Sequence, residues 1–499
     1  SMNSPPDKAC TASAREHCRR IQQYGFNFVI AGNYDFLPGG TSYLDGLMEA
    51  CDETGVLLSF TLPHIKEFNF KMQDPATAAR YRALAHWLIR RARNHPSVVF
   101  YGMNHNCTGY FGDQNPLKID GLFEMPDNSG KKNAWWENNR RQARITAEIA
   151  RSIDPTRPIY HHQSGNLGDL HTVNIYLNWA PLQERSDWLE HWSTVGVKPL
   201  FFVEWGLPHI SSWSSYRGPK FIWRCEAFQS LWASEFGAQF WGDAAYQPTP
   251  EAYAALAHEE KLWAKGVEFR WSDLNRPLRA LTNNYQNVQA LFASDNWRSH
   301  RAWGISAMLP WDQGDFWERV AKTEARPVSN SLANLKQPGI VPDYLTPDHQ
   351  FINDTGDRAA FEPSSVGHAF LRWNMPDCAF IAGAKRVTDK QHLYAVGERC
   401  EKTLVLLNDR RQSQKIAWQI ALLKGETVLA KKSGRERVEP GTQARVPVAF
   451  DVPEQAGDYQ LRATFTFADQ VVQHDTFAVR VVPPVAALAP ATAVTLYDT

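Results

Sequence analysis

The chain has 499 residues, with 53 Lys and Arg against 53 Asp and Glu, so its net charge is zero. This length exceeds what one hydrophobic core usually organises, and two or three domains are expected. The balanced charge and the lack of any 18-residue apolar run argue against nucleic acid and membrane as partners.

Helical patterns and apolar strand patterns alternate along the first two thirds of the chain. Helices are predicted at residues 15–25, 43–54, 76–94, 134–153 and 185–195, and strands at 26–31, 56–60, 96–103, 159–162, 173–177, 199–206 and 304–310. Alternation at this spacing predicts βα units around a parallel sheet, most economically a (β/α) barrel. We therefore expect an α/β barrel over residues 1–320, with an insertion at 207–300 above its mouth.

The composition changes after the barrel region. Residues 321–391 are rich in Pro, Asn and Asp and are expected to form an extended linker. Short alternating strands separated by turn signals then predict an all-β sandwich of immunoglobulin type over 392–484. Residues 485–499 are expected to be a second linker or the start of a further domain.

One acidic residue, Glu204, ends the most apolar strand, which runs from Pro199 to Gly206. The carboxyl ends of barrel strands carry the chemistry in this architecture. Glu204 is therefore a candidate nucleophile or acid/base. The alternative is a salt-bridged glutamate at a strand end.

Three segments resemble glycoside hydrolase family 2 and related clan A barrels. They are Asn94-His-Pro-Ser-Val-Val-Phe-Tyr-Gly-Met-Asn-His-Asn106, Asp154-Pro-Thr-Arg-Pro158 and Phe202-Val-Glu-Trp-Gly206. The C-terminal sandwich resembles the accessory domains of such enzymes. The resemblance implies a TIM-type (β/α)8 barrel, glycosidase activity on a poly- or oligosaccharide, Glu204 as the nucleophile, and no cofactor.

The sequence departs from the family in two ways. Counting strands back from Glu204 places the first barrel strand before residue 1, unless residues 237–243 supply a strand. We therefore expect a fragment, completed by a segment of the same precursor or by a homo-oligomer. The ungapped match also places Asn106 where the family has its acid/base Glu, and an amide cannot transfer a proton at neutral pH.

Two other residues are candidates for the missing acid. His105 titrates near neutrality and needs little tuning to act as acid or base, although a structural histidine is the alternative. Asp113 follows the same strand, and could instead be a turn-forming aspartate. A polar ring with aromatic stacking surfaces is expected to bind the substrate, consisting of His64, Glu67, Asn104, Asn106, His161, His162, Tyr176, Trp205, Trp311 and Asp312.

A metal site has little support in the sequence, because the candidate ligands lie on different strands without a short spacing. The seven cysteines, without CxxC spacing, likewise predict neither a zinc site nor a disulfide scaffold. The expected partner is a carbohydrate substrate. No signal peptide is visible, and a secreted or periplasmic location is the expectation.

Three functions remain open at this point. The first is a glycoside hydrolase that uses Glu204 with His105 or Asp113. The second is a polysaccharide lyase acting on a uronic-acid glycan, although few Arg or Lys residues stand near the expected mouth. The third is a non-catalytic carbohydrate-binding barrel, because fold alone does not fix function.

Overall fold

The computed structural model describes residues 11–31, 42–106, 114–122, 134–177, 180, 182–207, 283–311, 316–319, 326–327, 344–345, 361–386 and 391–483. The chain divides into two compact units, Ser1–Met375 and Pro376–Thr499. Within the described ranges, no helix has the length and apolar character needed to cross a membrane.

In the part of the first unit that the structure describes, seven strands in two parallel sheets form the framework. They are β1 (Phe28–Ala31), β2 (Leu57–Thr61), β3 (Val98–Met103), β4 (Ile159–His161), β5 (His171–Ile175), β6 (Leu200–Gly206) and β7 (Ala307–Trp311). They pair in the orders β1-β2-β3-β4 and β5-β6-β7. Each overlaps a strand predicted from its apolar run, and neighbours in sequence are neighbours in space, as in a βα barrel.

Helices separate most of these strands. They are α1 (Thr11–Gln23), α2 (Ser42–Thr54), α3 (Pro75–Ala92), α4 (Ala134–Ile153), α5 (Leu182–Ser186), α6 (Glu190–Val195), α7 (Asn283–Ala302) and α8 (Ser365–Trp373). Short 3-10 helices occupy Ile65–Phe68 and Pro116–Lys118. The single helix predicted at 185–195 is thus two short helices. Most of the insertion predicted at 207–300, together with the alternative strand at 237–243, lies outside the described residues.

Aromatic side chains from both sheets fill the interior of the barrel. Phe201 of β6 meets Phe28 of β1 with ring centroids 5.6 Å apart, and meets Tyr160 of β4 at 5.2 Å. Phe28 also contacts Phe100 of β3 edge-on. A core shared by strands of both sheets is the packing expected of a barrel filled by side chains.

The barrel unit extends beyond the boundary predicted at residue 320. Strand β8 (Trp317–Arg319) pairs antiparallel with β11 (Phe361–Pro363), and helix α8 buries Val366 and Phe370 in the core outside β5–β7. A further pair joins β9 (Arg326–Pro327) and β10 (Tyr344–Leu345). The predicted linker at 321–391 therefore contains ordered elements, among them α8, whose buried Val366, Ala369 and Phe370 follow a helical spacing.

The second unit is a two-sheet β structure, as predicted. Its strands are β12 (Asp377–Gly383), β13 (Leu393–Ala395), β14 (Arg399–Asn408), β15 (Gln414–Lys424), β16 (Thr427–Val438), β17 (Thr442–Asp451), β18 (Gly457–Thr466) and β19 (Val472–Val482). The sheet orders are β12-β14-β17 and β13-β19-β18-β15-β16. β12, β13 and β16 were not predicted from the sequence, and β16 is an exposed, charged edge strand without apolar alternation.

Candidate active site

Glu204 owes its direction to an irregularity in β6. The register with β5 runs from Val173 opposite Phe202 to Asn174 opposite Glu204, which leaves Val203 as an extra residue in the ladder. Phe201 and Val203 belong to the core inside the barrel, whereas Phe202 and Trp205 belong to the core outside it. Strict alternation would have pointed Glu204 outward and Trp205 inward, so this bulge reverses their directions.

The Glu204 carboxylate is buried at the carboxyl end of β6 and accepts hydrogen bonds at both oxygens. Tyr176 Oη donates to Oε2 over 2.6 Å, and His162 Nε2 lies 3.0 Å from Oε1. Asn106 Nδ2 donates to Oε1 over 3.4 Å, and His105 Nε2 stands 3.6 Å from that oxygen. Residues after β3 and β4 and beyond β5 thus converge on one carboxylate.

The position of Tyr176 depends on a glycine two residues after Glu204. A Cβ on Gly206 would overlap Cδ1 and Cε1 of the Tyr176 ring, so the ring lies directly against the β6 backbone. The Tyr176 backbone N–H also donates to Gln114 Oε1 over 3.1 Å. Gly206 therefore fixes the phenol beside the carboxylate by the close approach that only glycine permits.

The turn after β3 places the two residues that flank His105, Asn104 and Asn106, in a strained backbone. Asn104 and Asn106 have φ of 52° and 50°, a left-handed conformation that asparagine tolerates better than most residues. Asn104 is fully buried and accepts from the Ile65 backbone N–H over 3.1 Å. His64 Nε2 lies 2.8 Å from the His105 carbonyl oxygen, and because His64 Nδ1 accepts from Lys66 N–H, Nε2 is the donor.

Glu204 and His162 differ in charge at neutral pH, although their side chains are in contact. Burial opposes ionisation of Glu204, but the neighbouring His105 imidazole and the hydrogen bond from His162 outweigh it and hold the pKa of Glu204 well below its usual value. Burial, together with the nearby His105, lowers the pKa of His162 to about 4. At neutral pH Glu204 is therefore an anion, and His162 is a neutral imidazole that donates Nε2–H to it.

One residue of the site was missed by sequence reasoning. Asn174, on β5, stands opposite Glu204 in the ladder, and its Nδ2 donates to Asn106 Oδ1 over 3.1 Å. This bond fixes the Asn106 amide so that its Nδ2 faces Glu204. The available signal was a lone asparagine within the otherwise apolar run Val173-Asn-Ile, on the strand preceding Glu204.

Four predicted substrate-binding residues lie elsewhere. Trp205 is 2 % exposed and packs on Phe292, Trp297 and Phe370 outside the barrel, so its expected stacking role is wrong, because the β6 bulge turns it outward. Asn104, His64 and His161 lie behind the site. They are buried, and His161 Nδ1 lies 3.0 Å from Asn104 Nδ2.

The remaining predicted residues make no described contact with Glu204. Glu67 is exposed on the 3-10 helix after β2, and no described hydrogen bond joins it to the site. Asp113 and Asp312 lie outside the described residues, as does the side chain of Trp311.

The first residues of two motifs behind the family resemblance stabilise the amino-terminal ends of β3 and β4, away from Glu204. Asp52 contacts His95 Nδ1 at 2.6 Å and accepts from Ser97 N–H, which fixes the turn before β3. Asp154 accepts from Thr156 N–H and Tyr101 Oη in the turn before β4. These residues build strand starts rather than the site.

The sequence matches the family model described as glycosyl hydrolases family 2, TIM barrel domain, over residues 46–254. A search of curated proteins finds no match. Among solved structures, the chain is similar to a β-D-mannosidase from Dictyoglomus thermophilum, at 14% identity with a TM-score of 0.48 over 94% of this chain and 48% of that one.

Two other solved structures show weaker similarity. A β-glucuronidase from Parabacteroides merdae has 14% identity and a TM-score of 0.36, covering 95% of this chain and 48% of its own. A GH2 β-galacturonidase from Eisenbergiella tayi has 16% identity and a TM-score of 0.32, covering 60% and 40%. The chain thus spans about half the length of the structures it matches.

Proposed function

We propose that this chain, whose residues 46–254 match the family model described as glycosyl hydrolases family 2, TIM barrel domain, acts as a glycoside hydrolase on a poly- or oligosaccharide. One observation carries the proposal. An ionised carboxylate, Glu204, stands at the carboxyl end of a barrel strand with hydrogen-bond donors on both of its oxygens. This is the position and the charge that a glycosidase nucleophile needs.

Glu204 is the proposed nucleophile. A carboxylate attacks the anomeric carbon only as an anion, and hydrogen bonds from its neighbours keep Glu204 in that state. The Tyr176 phenol also restricts rotation of the carboxylate by holding Oε2 at 2.6 Å. In an inverting reaction the same carboxylate would instead act as the base that activates a water.

His105 is the proposed proton donor. His162 is neutral at neutral pH with a pKa of about 4 and already donates to Glu204, which makes it a poor source of protons. His105 Nε2, at 3.6 Å from Oε1, is the second histidine that the described residues place at this carboxylate. Asp113, outside the described residues, is the second candidate.

The proposed reaction proceeds in two steps. His105 gives a proton to the leaving oxygen while the glycosidic bond breaks and Glu204 Oε bonds to the anomeric carbon. His105 then takes a proton from water, whose oxygen displaces Glu204 and restores the carboxylate. The exposed Asn106 amide, fixed by Asn174, is placed to bond a sugar hydroxyl.

Two kinds of substrate distinguish the role of Glu204 as nucleophile from the role of His105 as proton donor. Dinitrophenyl glycosides have a leaving group that needs no protonation, whereas alkyl glycosides need an acid. We expect Glu204→Gln to abolish hydrolysis of both kinds, and His105→Gln to slow alkyl glycosides far more than dinitrophenyl glycosides. If His105→Gln leaves both rates unchanged while Asp113→Asn produces this split, then Asp113 is the acid.

The same assays test the two other functions. A panel of glycans is incubated with the protein, and products are followed by reducing ends and by ultraviolet absorbance. New reducing ends without absorbance support hydrolysis. Unsaturated, absorbing products would identify a lyase, and binding without any product would identify a carbohydrate-binding barrel.

A further inference from the structure

A second chemistry is available to the cluster at the mouth of the barrel. We propose that His105, His162 and Glu204 form a binding site for a divalent transition-metal ion of the Zn²⁺ type, and that the bound ion inhibits the site by occupying Glu204. One donor atom from each of the three residues lies within 4.8 Å of the other two. Metal binding itself does not require the proposed hydrolysis, whereas the inhibition rests on it.

The distances fit a tetrahedral ion with little movement. Zinc bonds of about 2.0–2.2 Å place neighbouring ligand atoms roughly 3.3–3.5 Å apart. His162 Nε2 is 3.0 Å and His105 Nε2 is 3.6 Å from Glu204 Oε1, so both separations are already within a few tenths of an ångström of that range. The two imidazole rings, with centroids 4.1 Å apart, complete a three-sided arrangement.

The donor types select the class of metal. Two imidazole nitrogens and one carboxylate oxygen suit zinc and similar first-row ions, whereas calcium and magnesium prefer oxygen ligands throughout. Three protein ligands leave the fourth position for water or a substrate oxygen. All three side chains are buried, with 3–4 % exposure, so an ion would be shielded from competing solvent.

Neighbouring groups support two of the three ligands. His64 Nε2 holds the His105 backbone carbonyl, and Tyr176 holds Glu204 Oε2, which leaves Oε1 directed at the imidazoles. His162 is supported less well. Its Nε2 proton would have to move to Nδ1 on metal binding, and Nδ1 has no hydrogen-bond partner among the described residues. Loss of such a partner weakens metal binding about 10–100-fold, so a moderate affinity is expected.

The bound ion and a sugar would compete for the same carboxylate. An ion bonded to Glu204 Oε1 withdraws the negative charge that attack on an anomeric carbon requires. Zinc is therefore expected to act as a competitive inhibitor of any reaction that uses Glu204, and chelators are expected to preserve or raise that activity.

The test measures metal binding without substrate. The full chain is stripped with a chelator and titrated with Zn²⁺ by calorimetry, and then with Co²⁺, whose visible absorption reports four-coordinate geometry. We expect a site with intense cobalt absorption, and at least a tenfold loss of its affinity in both His105→Gln and His162→Gln. His191→Gln, which removes another histidine beside a carboxylate, Asp120, is the matched control and should bind as the parent does.

Two results would overturn the inference. One is a parent that takes up no zinc at 100-fold molar excess. The other is zinc affinity and cobalt absorption that are the same in the parent and both histidine variants. If a histidine variant fails to fold, Glu204→Gln tests the third ligand with little change of shape. A parent that binds zinc but hydrolyses nothing would refute the proposed function and leave the metal site standing.

Discussion

Tyr176 Oη donates a 2.6 Å hydrogen bond to Glu204 Oε2, and the Tyr176 ring rests against the backbone of Gly206, two residues after that glutamate. The strand that carries the carboxylate thus also positions the phenol that stabilises its charge. Because both contacts depend on β6, substitutions at Tyr176 and Gly206 should affect Glu204 in related ways.

Tyr176→Phe removes the hydrogen bond and keeps the ring. A hydrogen bond to a charged group contributes about 1.5–3 kcal/mol, so kcat/KM should fall roughly 10- to 100-fold. Loss of the donor raises the pKa of Glu204, and the acid limb of the pH–rate profile should move to higher pH. Tyr101→Phe, whose phenol bonds Asp154 before β4, is the control and should leave the acid limb in place.

Gly206→Ala should reproduce the Tyr176→Phe effect through displacement. The added methyl group overlaps the Tyr176 ring and forces it away from Glu204, at a cost of about 1–3 kcal/mol of stability. Gly55→Ala is the matched control, because Gly55 has a φ of 77° with no atom near its Cβ position. Gly55→Ala should lose stability and keep the kcat/KM of the parent. Equal kcat/KM in Gly206→Ala and the parent would contradict this account of Tyr176.

Asn106→Glu restores a carboxyl group where the family resemblance places the acid. A glutamate this close to Glu204 should have a raised pKa and serve as a proton donor. We expect faster hydrolysis of alkyl glycosides with little change for dinitrophenyl glycosides. The left-handed backbone at residue 106 should make the variant less stable by about 1–2 kcal/mol. Asn106→Gln, which lacks the proton, is the control.

The barrel unit should lose stability in acid because of buried, neutral histidines. Burial lowers the pKa of His300 to about 3, against 6.5 in the unfolded chain. Between these values the unfolded state binds one more proton, so the free energy of unfolding falls as pH falls, by about 1.4 kcal/mol per pH unit. His171, with a pKa of about 4, acts in the same direction.

His300→Leu should remove the contribution of that histidine. His300 lies in an aromatic environment beside Phe202, and neither ring nitrogen has a hydrogen-bond partner among the described residues. Between pH 6.5 and 4.5 the variant should lose about 2–3 kcal/mol less than the parent, as measured by urea unfolding followed through tryptophan fluorescence. His86→Leu, at an exposed position, should show the acid sensitivity of the parent.

Much of the fold could be predicted from the sequence, because apolar runs and helical periods are local signals. All seven described barrel strands, and the position of Glu204 at a strand end, follow from such runs. The outward direction of Trp205 could not be predicted from apolar runs, because the bulge at Val203 depends on the register with β5. The role of Asn174 could not be predicted either, because it depends on a hydrogen bond to Asn106, which is distant in sequence.

Strands whose residues show no apolar period could not be predicted from the sequence either. β16 is exposed along nearly its whole length, so its residues show charge and not alternation. The sequence left two candidates for the proton donor, His105 and Asp113, for a different reason. The sequence pattern around Asp113 predicts no helix or strand that would fix its place, whereas His105 directly follows β3.

The most direct test compares the parent with Glu204→Gln on a panel of dinitrophenyl glycosides, with folding of both proteins checked by circular dichroism. Because this leaving group needs no acid, formation of the bond between Glu204 and the sugar depends on the nucleophile alone. The account predicts that at least one sugar is hydrolysed by the parent and that its rate falls at least a thousandfold, or about 4 kcal/mol, in the variant. Equal rates in the two proteins would show that Glu204 does not perform the chemistry.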